Sequence, residues 1–148
     1  MRSIPPPLWM LLLIAATYAL AQFTPLQDLP VLRHQPAAAL VTALALTMLI
    51  AAIVQFRRAD TQLLPNSPEN NALVTGGVFN LTRNPMYLGM TLICLAAALW
   101  YGHSIMLATP VLMFAVANWA FIPFEEAKMR RQFGEAFDAY TKRVRRWI

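Results

Sequence analysis

Residues 86–124, MYLGMTLICLAAALWYGHSIMLATPVLMFAVANWAFIPF, contain no aspartate, glutamate, lysine or arginine. A hydrocarbon core about 30 Å thick is crossed by about 20 apolar helical residues. The stretch is therefore two spans, 86–102 and 104–124, with little more than Gly102 and His103 between them. Lipid offers no hydrogen-bond partner to the backbone, so a crossing segment must satisfy its own N–H and C=O groups, as a helix does. The reading is a tight helical hairpin, with the start of one span and the end of the next on the same side.

Two further apolar runs precede it, LWMLLLIAATYALAQF at 8–23 and PAAALVTALALTMLIAAIVQF at 36–56. The first lacks a strongly basic leading segment and is followed by three more spans, so it reads as a retained helix rather than a cleaved signal peptide. Of the 148 residues, 58% are hydrophobic and 13% charged, against about a quarter charged in a soluble domain. The expected fold is all-α: an integral membrane helical bundle of about four transmembrane helices in a single domain over 1–148. A cytoplasmic loop at 57–85 and a cytoplasmic amphipathic helix at 125–147 complete it. Trp100, Tyr101 and Trp119 fall near the expected interfaces, where amphipathic rings settle.

With the N-terminus inside, eleven of the twelve Lys and Arg residues, from Arg2 to Arg146, lie on the cytoplasmic side and only Arg33 outside. That asymmetry orients a multi-pass membrane protein with both termini cytoplasmic. It also accounts for the net charge of +5 without invoking nucleic acid. The single cysteine, Cys94, sits within an apolar run and reads as packing.

On the cytoplasmic side, EEAKMRRQFGEAFDAYTKRVRRWI (125–148) places Met129, Phe133, Phe137, Tyr140, Val144 and Trp147 at spacings of four, four, three, four and three. They form one helical stripe. Such a helix lies on the anionic inner leaflet or folds over the bundle, and Gly134 marks a kink or break in it. The other segment, 57–85, contains LVTGGVFNL, apolar enough to pack.

Phosphate-cradling glycine loops of the dinucleotide and nucleotide types are missing, as are the common metal-ligand spacings. Both histidines, His34 and His103, fall on the outer side. The remaining polar chemistry gathers at two places. In GGVFNLTRNPMYLG (76–89), Asn84-Pro85 reads as an N-cap and first helical residue, leaving unpaired N–H groups and a partial positive charge that suit an anion. Glu125-Glu126 directly follow the apolar FIPF, where carboxylates need a cation or a wet pocket. The hairpin brings Asn84, Tyr87, Glu125 and Glu126 toward one pocket, with ion pairing of the glutamates to Arg83, Lys128 or Arg130 as the competing reading.

The run ALVTGGVFNLTRNPMYLG, followed after the hairpin by EEAKMRRQFGEAFDAYTKRVRRWI, resembles the core of the isoprenylcysteine carboxyl methyltransferase family and its bacterial relatives, grouped with the phospholipid methyltransferases. The resemblance covers about 71–148. It implies an integral membrane enzyme of a bacterial inner membrane that uses S-adenosyl-L-methionine, yielding S-adenosyl-L-homocysteine, without a Rossmann domain. The implied cofactor contacts are Asn71, Ala72, Leu73 and Val74, then Phe79 where the family usually has tyrosine, then Asn84 where the eukaryotic enzymes have histidine, Pro85, Met86, Tyr87 and finally Glu125. Glu126 and Arg130 are the expected acceptor-facing residues. Phe121 falls where those enzymes carry a substrate-engaging arginine. The implied acceptor is a lipophilic or lipid molecule, such as the carboxylate of an isoprenylcysteine-like or other small amphiphile. A phospholipid headgroup amine is the nearest alternative, and a non-enzymatic membrane subunit is the alternative of another class.

Overall fold

The computed structural model describes residues 4–24, 32–61 and 71–148. Residues 62–70 of the expected loop, and Arg2 of the charge count, lie outside the described residues. The elements, in order, are α1 (Pro6–Phe23), α2 (Gln35–Arg58), a 3-10 turn (Gly77–Asn80), α3 (Pro85–Tyr101), a second 3-10 turn (Ser104–Leu107), α4 (Ala108–Val116), a π-helical turn (Ala117–Phe121) and α5 (Ile122–Arg143). Among the described residues there is no strand.

By length and composition, α1, α2 and the continuous helical stretch Ser104–Arg143 can cross a membrane. The protein is a helical membrane protein. The 17-residue α3 is shorter, about 26 Å at 1.5 Å per residue, and is the bundle's centre. It packs on α1, α2 and α4, and Tyr87, Gly89, Met90, Cys94, Ala96 and Ala98 are buried along it. In lipid, helices associate through close packing of small residues. The α2 seam supplies Ala38, Ala45 and Ala52, seven apart and all at most 1% exposed. On α3, Gly89 meets this seam so closely that a Cβ there would stand 2.8 Å from Leu49 Cγ and 3.2 Å from the Ala45 carbonyl.

At the end of the bundle away from Asn84, the backbone N–H of His34 donates to the Leu99 carbonyl (3.0 Å). Both histidines are helix caps there: Nδ1 of His34 accepts from the Ala37 N–H and Nδ1 of His103 from the Ile105 N–H. The hairpin closes through Gly102, whose N–H returns to the Ala98 carbonyl.

The helix expected at 125–147 is not a separate element. It continues the fourth span through the π turn and ends at Arg143. The expected break is at Gly134, with φ 48° and ψ −122°, a backbone conformation closed to residues with a Cβ. The kink turns the second half of α5 back onto the bundle. Phe137, Tyr140 and Val144 pack with Phe79 and Ala52, and Met129 and Phe133 lean on the same cluster. Trp147, the last residue of the stripe, joins the other cluster around Tyr87, Met113 and Phe121. The stripe is thus used to fold over the bundle.

Candidate functional site

At the Asn84 end of α3 a cavity of about 380 Å³ opens between α1, α2, α3, α5 and the loop before α3, within the range of about 300–1,000 Å³ usual for ligand sites. One wall is apolar: Pro7 and Met10 of α1, Leu49 and Ile53 of α2, and Met90 of α3. The cavity's polar lining is Arg83, Asn84, Tyr87, Glu125, Glu126 and Lys128. Ala72, Leu73, Val74, Phe79, Pro85 and Met86 also line it.

Each polar side chain is held by local structure. Asn84 is the N-cap residue of α3, but its side chain does not bond the first helical turn. Thr82 Oγ1 accepts from the Asn84 N–H itself at 3.1 Å. Nδ2 of Asn84 donates to the Arg146 carbonyl at 2.9 Å. One turn further, the Tyr87 hydroxyl, in a residue 4% exposed, donates to Glu125 Oε1 at 2.5 Å. This short bond fixes the Glu125 carboxyl group at the cavity wall.

Glu126 is held differently. Oε1 accepts from Arg83 (2.7 Å) and from Arg146 Nε (3.1 Å), and Oε2 accepts from the second Arg146 nitrogen (2.5 Å). Ion pairing with Arg83 was one competing reading of the sequence; Arg146 is the second partner. Arg83 also donates to the Thr141 and Val144 carbonyls (3.2 and 2.7 Å) at the end of α5. Its Nε is, among the described residues, a buried donor without a hydrogen-bond partner. The loop before α3 is pinned from two sides. Tyr140 donates to the Phe79 carbonyl at 2.7 Å. The Gln55 carboxamide, in the orientation that satisfies both groups, donates to the Gly76 carbonyl (2.6 Å) and accepts from the Val78 N–H (3.2 Å).

Nine of the residues singled out in the sequence for cofactor contact therefore line one cavity: Ala72 to Val74, Phe79, Asn84 to Tyr87, and Glu125. Asn71 is beside it rather than on its wall; its N–H donates to Thr61 Oγ1 and its Nδ2 to the Asp60 carbonyl. Glu126 lines the cavity with both oxygens engaged. Arg130 is not brought there: it pairs with Asp138 at 2.8 Å on the surface, with 57% and 48% of the two side chains exposed. Sequence reasoning did not find Arg146, Tyr140 or the α1 contribution. Arg146 was visible only as one charge in a basic run, since its partner lies 20 residues away on another segment.

Phe121 is 1% exposed and its ring lies 6.1 Å from that of Tyr87. Among the described residues no three His, Cys, Asp or Glu side chains gather as a metal would require.

The geometry defines a helical membrane protein with a ligand-sized cavity at one end of its bundle, apolar toward α1 and α2 and polar toward α5. The chain belongs to the phospholipid methyltransferase family, whose model matches residues 34–136. It is 32% identical over 119 residues to protein-S-isoprenylcysteine O-methyltransferase B of Arabidopsis thaliana, covering 70% of this chain and 57% of that protein. It is 36% identical over 102 residues to protein-S-isoprenylcysteine O-methyltransferase A of the same plant, covering 64% and 48%. An uncharacterized protein of Haemophilus influenzae is 36% identical over 63 residues, 43% of this chain and 100% of that one. The chain spans about half the length of the plant relatives it matches. No solved structure matches it.

Proposed function

We propose that this protein is an S-adenosyl-L-methionine-dependent membrane methyltransferase that acts on a lipophilic acceptor at the cytoplasmic face. The observation that carries the reading is the convergence of Ala72 to Val74, Asn84 to Tyr87 and Glu125 on one cavity in a member of a methyltransferase family. The cavity suits the cofactor on two counts. Its volume admits a ligand of that size. A carboxylate oriented by a buried phenol faces it, suited to a ribose hydroxyl or an ammonium group.

When bound, the cofactor supplies an electrophilic methyl group on a sulfonium. The protein's part is to align that group with the acceptor and to exclude water. Tyr87 holds Glu125 in one orientation, so no reorganisation is needed as the ligand docks. The backbone of 72–74 offers N–H and C=O groups to a planar base, and Phe79 offers a ring. The apolar wall of Met10, Leu49, Ile53 and Met90 receives the acceptor, which enters from the lipid between α1 and α2. In such surroundings the collapse of a sulfonium and an anionic nucleophile to neutral products is favoured.

Transfer to a carboxylate or thiolate needs no general base, whereas a headgroup amine must first lose a proton. Both oxygens of Glu126 are occupied by guanidinium groups, which favours the base-free acceptor over a phospholipid amine. Arg130, exposed and paired with Asp138, stands away from the cavity and takes no part in this reading.

The test is calorimetric titration of S-adenosyl-L-methionine and S-adenosyl-L-homocysteine into the detergent-purified protein, with Tyr87→Phe and Glu125→Ala alongside. We expect micromolar binding, weakened about tenfold or more by either substitution, about 1.4 kcal/mol per tenfold. Absence of binding in folded wild-type protein would refute the proposal and support a non-enzymatic membrane subunit.

A further inference from the structure

Residues 144–148 leave α5 in extended conformation at Val144 and cross the start of α3. The Arg83 N–H donates to the Arg145 carbonyl at 3.0 Å. The Arg146 carbonyl accepts both the Thr82 hydroxyl (3.0 Å) and Asn84 Nδ2 (2.9 Å). Beyond this, Trp147 Nε1 donates to Asn118 Oδ1 at 3.1 Å, and its ring packs on Phe114 with centroids 4.6 Å apart. Asn118 lies in the π-helical turn, an irregularity frequent at functional sites. The segment therefore ties three elements together: the loop before α3, α5 at Glu126, and the π turn.

None of Arg145, Arg146 or Trp147 lines the cavity, and residues 137–148 lie beyond the part of the chain matched by the family model. What the segment controls is where Asn84 and Glu126 stand. The Arg146 side chain binds Glu126, the neighbour of Glu125, while its carbonyl holds Asn84, three residues before Tyr87. Tyr87 and Glu125 must meet across two helices for the carboxylate to be oriented, and both helix segments are fixed by the same residue. We propose that 144–148 is a strap and that Arg146 is a positioning residue for the cofactor cavity, acting through Glu126 and Asn84. This rests on the methyltransferase reading.

The experiment is titration of S-adenosyl-L-homocysteine into wild type, Arg146→Ala, Arg146→Lys and Trp147→Phe, with the ligand-free melting temperature of each. Arg146 is partly exposed and Arg83 remains on Glu126, so Arg146→Ala is expected to stay folded, melting several degrees below wild type, yet to bind about tenfold more weakly. Arg146→Lys, which keeps a charge beside Glu126, recovers part of that loss. Trp147→Phe keeps the ring packing but loses the bond to Asn118, and is expected to weaken binding about threefold. It carries the test if Arg146→Ala does not fold. Wild-type affinity in Arg146→Ala or, should that variant fail to fold, in Trp147→Phe overturns the proposal. So does a binding loss that only parallels a fall in ligand-free stability with no recovery in Arg146→Lys. Failure of the wild type itself to bind overturns the underlying reading instead.

Discussion

Two arginines at the same end of the bundle are expected to differ sharply in what their loss does to stability. Arg83 is 13% exposed at its side chain and pairs with a Glu126 that is 16% exposed. It also donates to two carbonyls at the end of α5. Replacing it with alanine removes one charge-assisted bond, worth about 1.5–3 kcal/mol, and two bonds to backbone acceptors, worth about 0.5–1.5 kcal/mol each. Arg146 remains on Glu126, so the carboxylate is not stranded. The sum is about 2.5–6 kcal/mol. Arg130 pairs with Asp138 at nearly the same distance, 2.8 Å, but with about half of each side chain in contact with solvent. Exposed pairs are screened by solvent and contribute little. On the scaling of about 2–4 °C per kcal/mol for domains near this size, Arg83→Ala should lower the melting temperature by about 10 °C and Arg130→Ala by far less. Thermal unfolding in detergent, followed by tryptophan fluorescence, measures both. Equal shifts would refute the reasoning, since burial would then not be what separates the two pairs.

The α2–α3 seam gives a second prediction: Gly89→Ala presses a methyl onto Leu49 and should cost about 1–3 kcal/mol, and Leu49→Ala in the same chain should relieve part of that cost, a non-additivity that a double-mutant cycle in the same melting assay reads. Gly134→Ala adds a methyl with no neighbour within 4 Å, so any loss comes from φ alone, about 1–3 kcal/mol; Gly76→Ala, equally open but with φ −92°, should change the melting temperature little. Cys94 is 0% exposed, so maleimide should label it only after unfolding, as mass spectrometry would show.

The sequence by itself determined what depends on neighbours along the chain. The absence of charge from 86 to 124 required two helices joined at Gly102. Asn84-Pro85 located the start of α3, because proline excludes its predecessor from the helix and needs no N–H of its own at the first position. The stripe from Met129 to Trp147 announced one apolar face, and Gly134 its break.

Tertiary structure decided what that face touches. Helical periodicity reports that a surface is to be covered but not by what, and the packing of Phe137 and Tyr140 against Phe79 is what puts that face on the bundle. The same holds for the charges. Glu126, Arg130, Arg83 and Arg146 are alike in sequence as ionisable residues at a membrane boundary. Only the return of the last residues across α3 gives Glu126 both guanidinium groups, while helical direction turns Arg130 outward to Asp138. Partners 20 to 62 residues apart are chosen by how the helices pack, and packing is set by the whole set of apolar faces rather than by any one stretch.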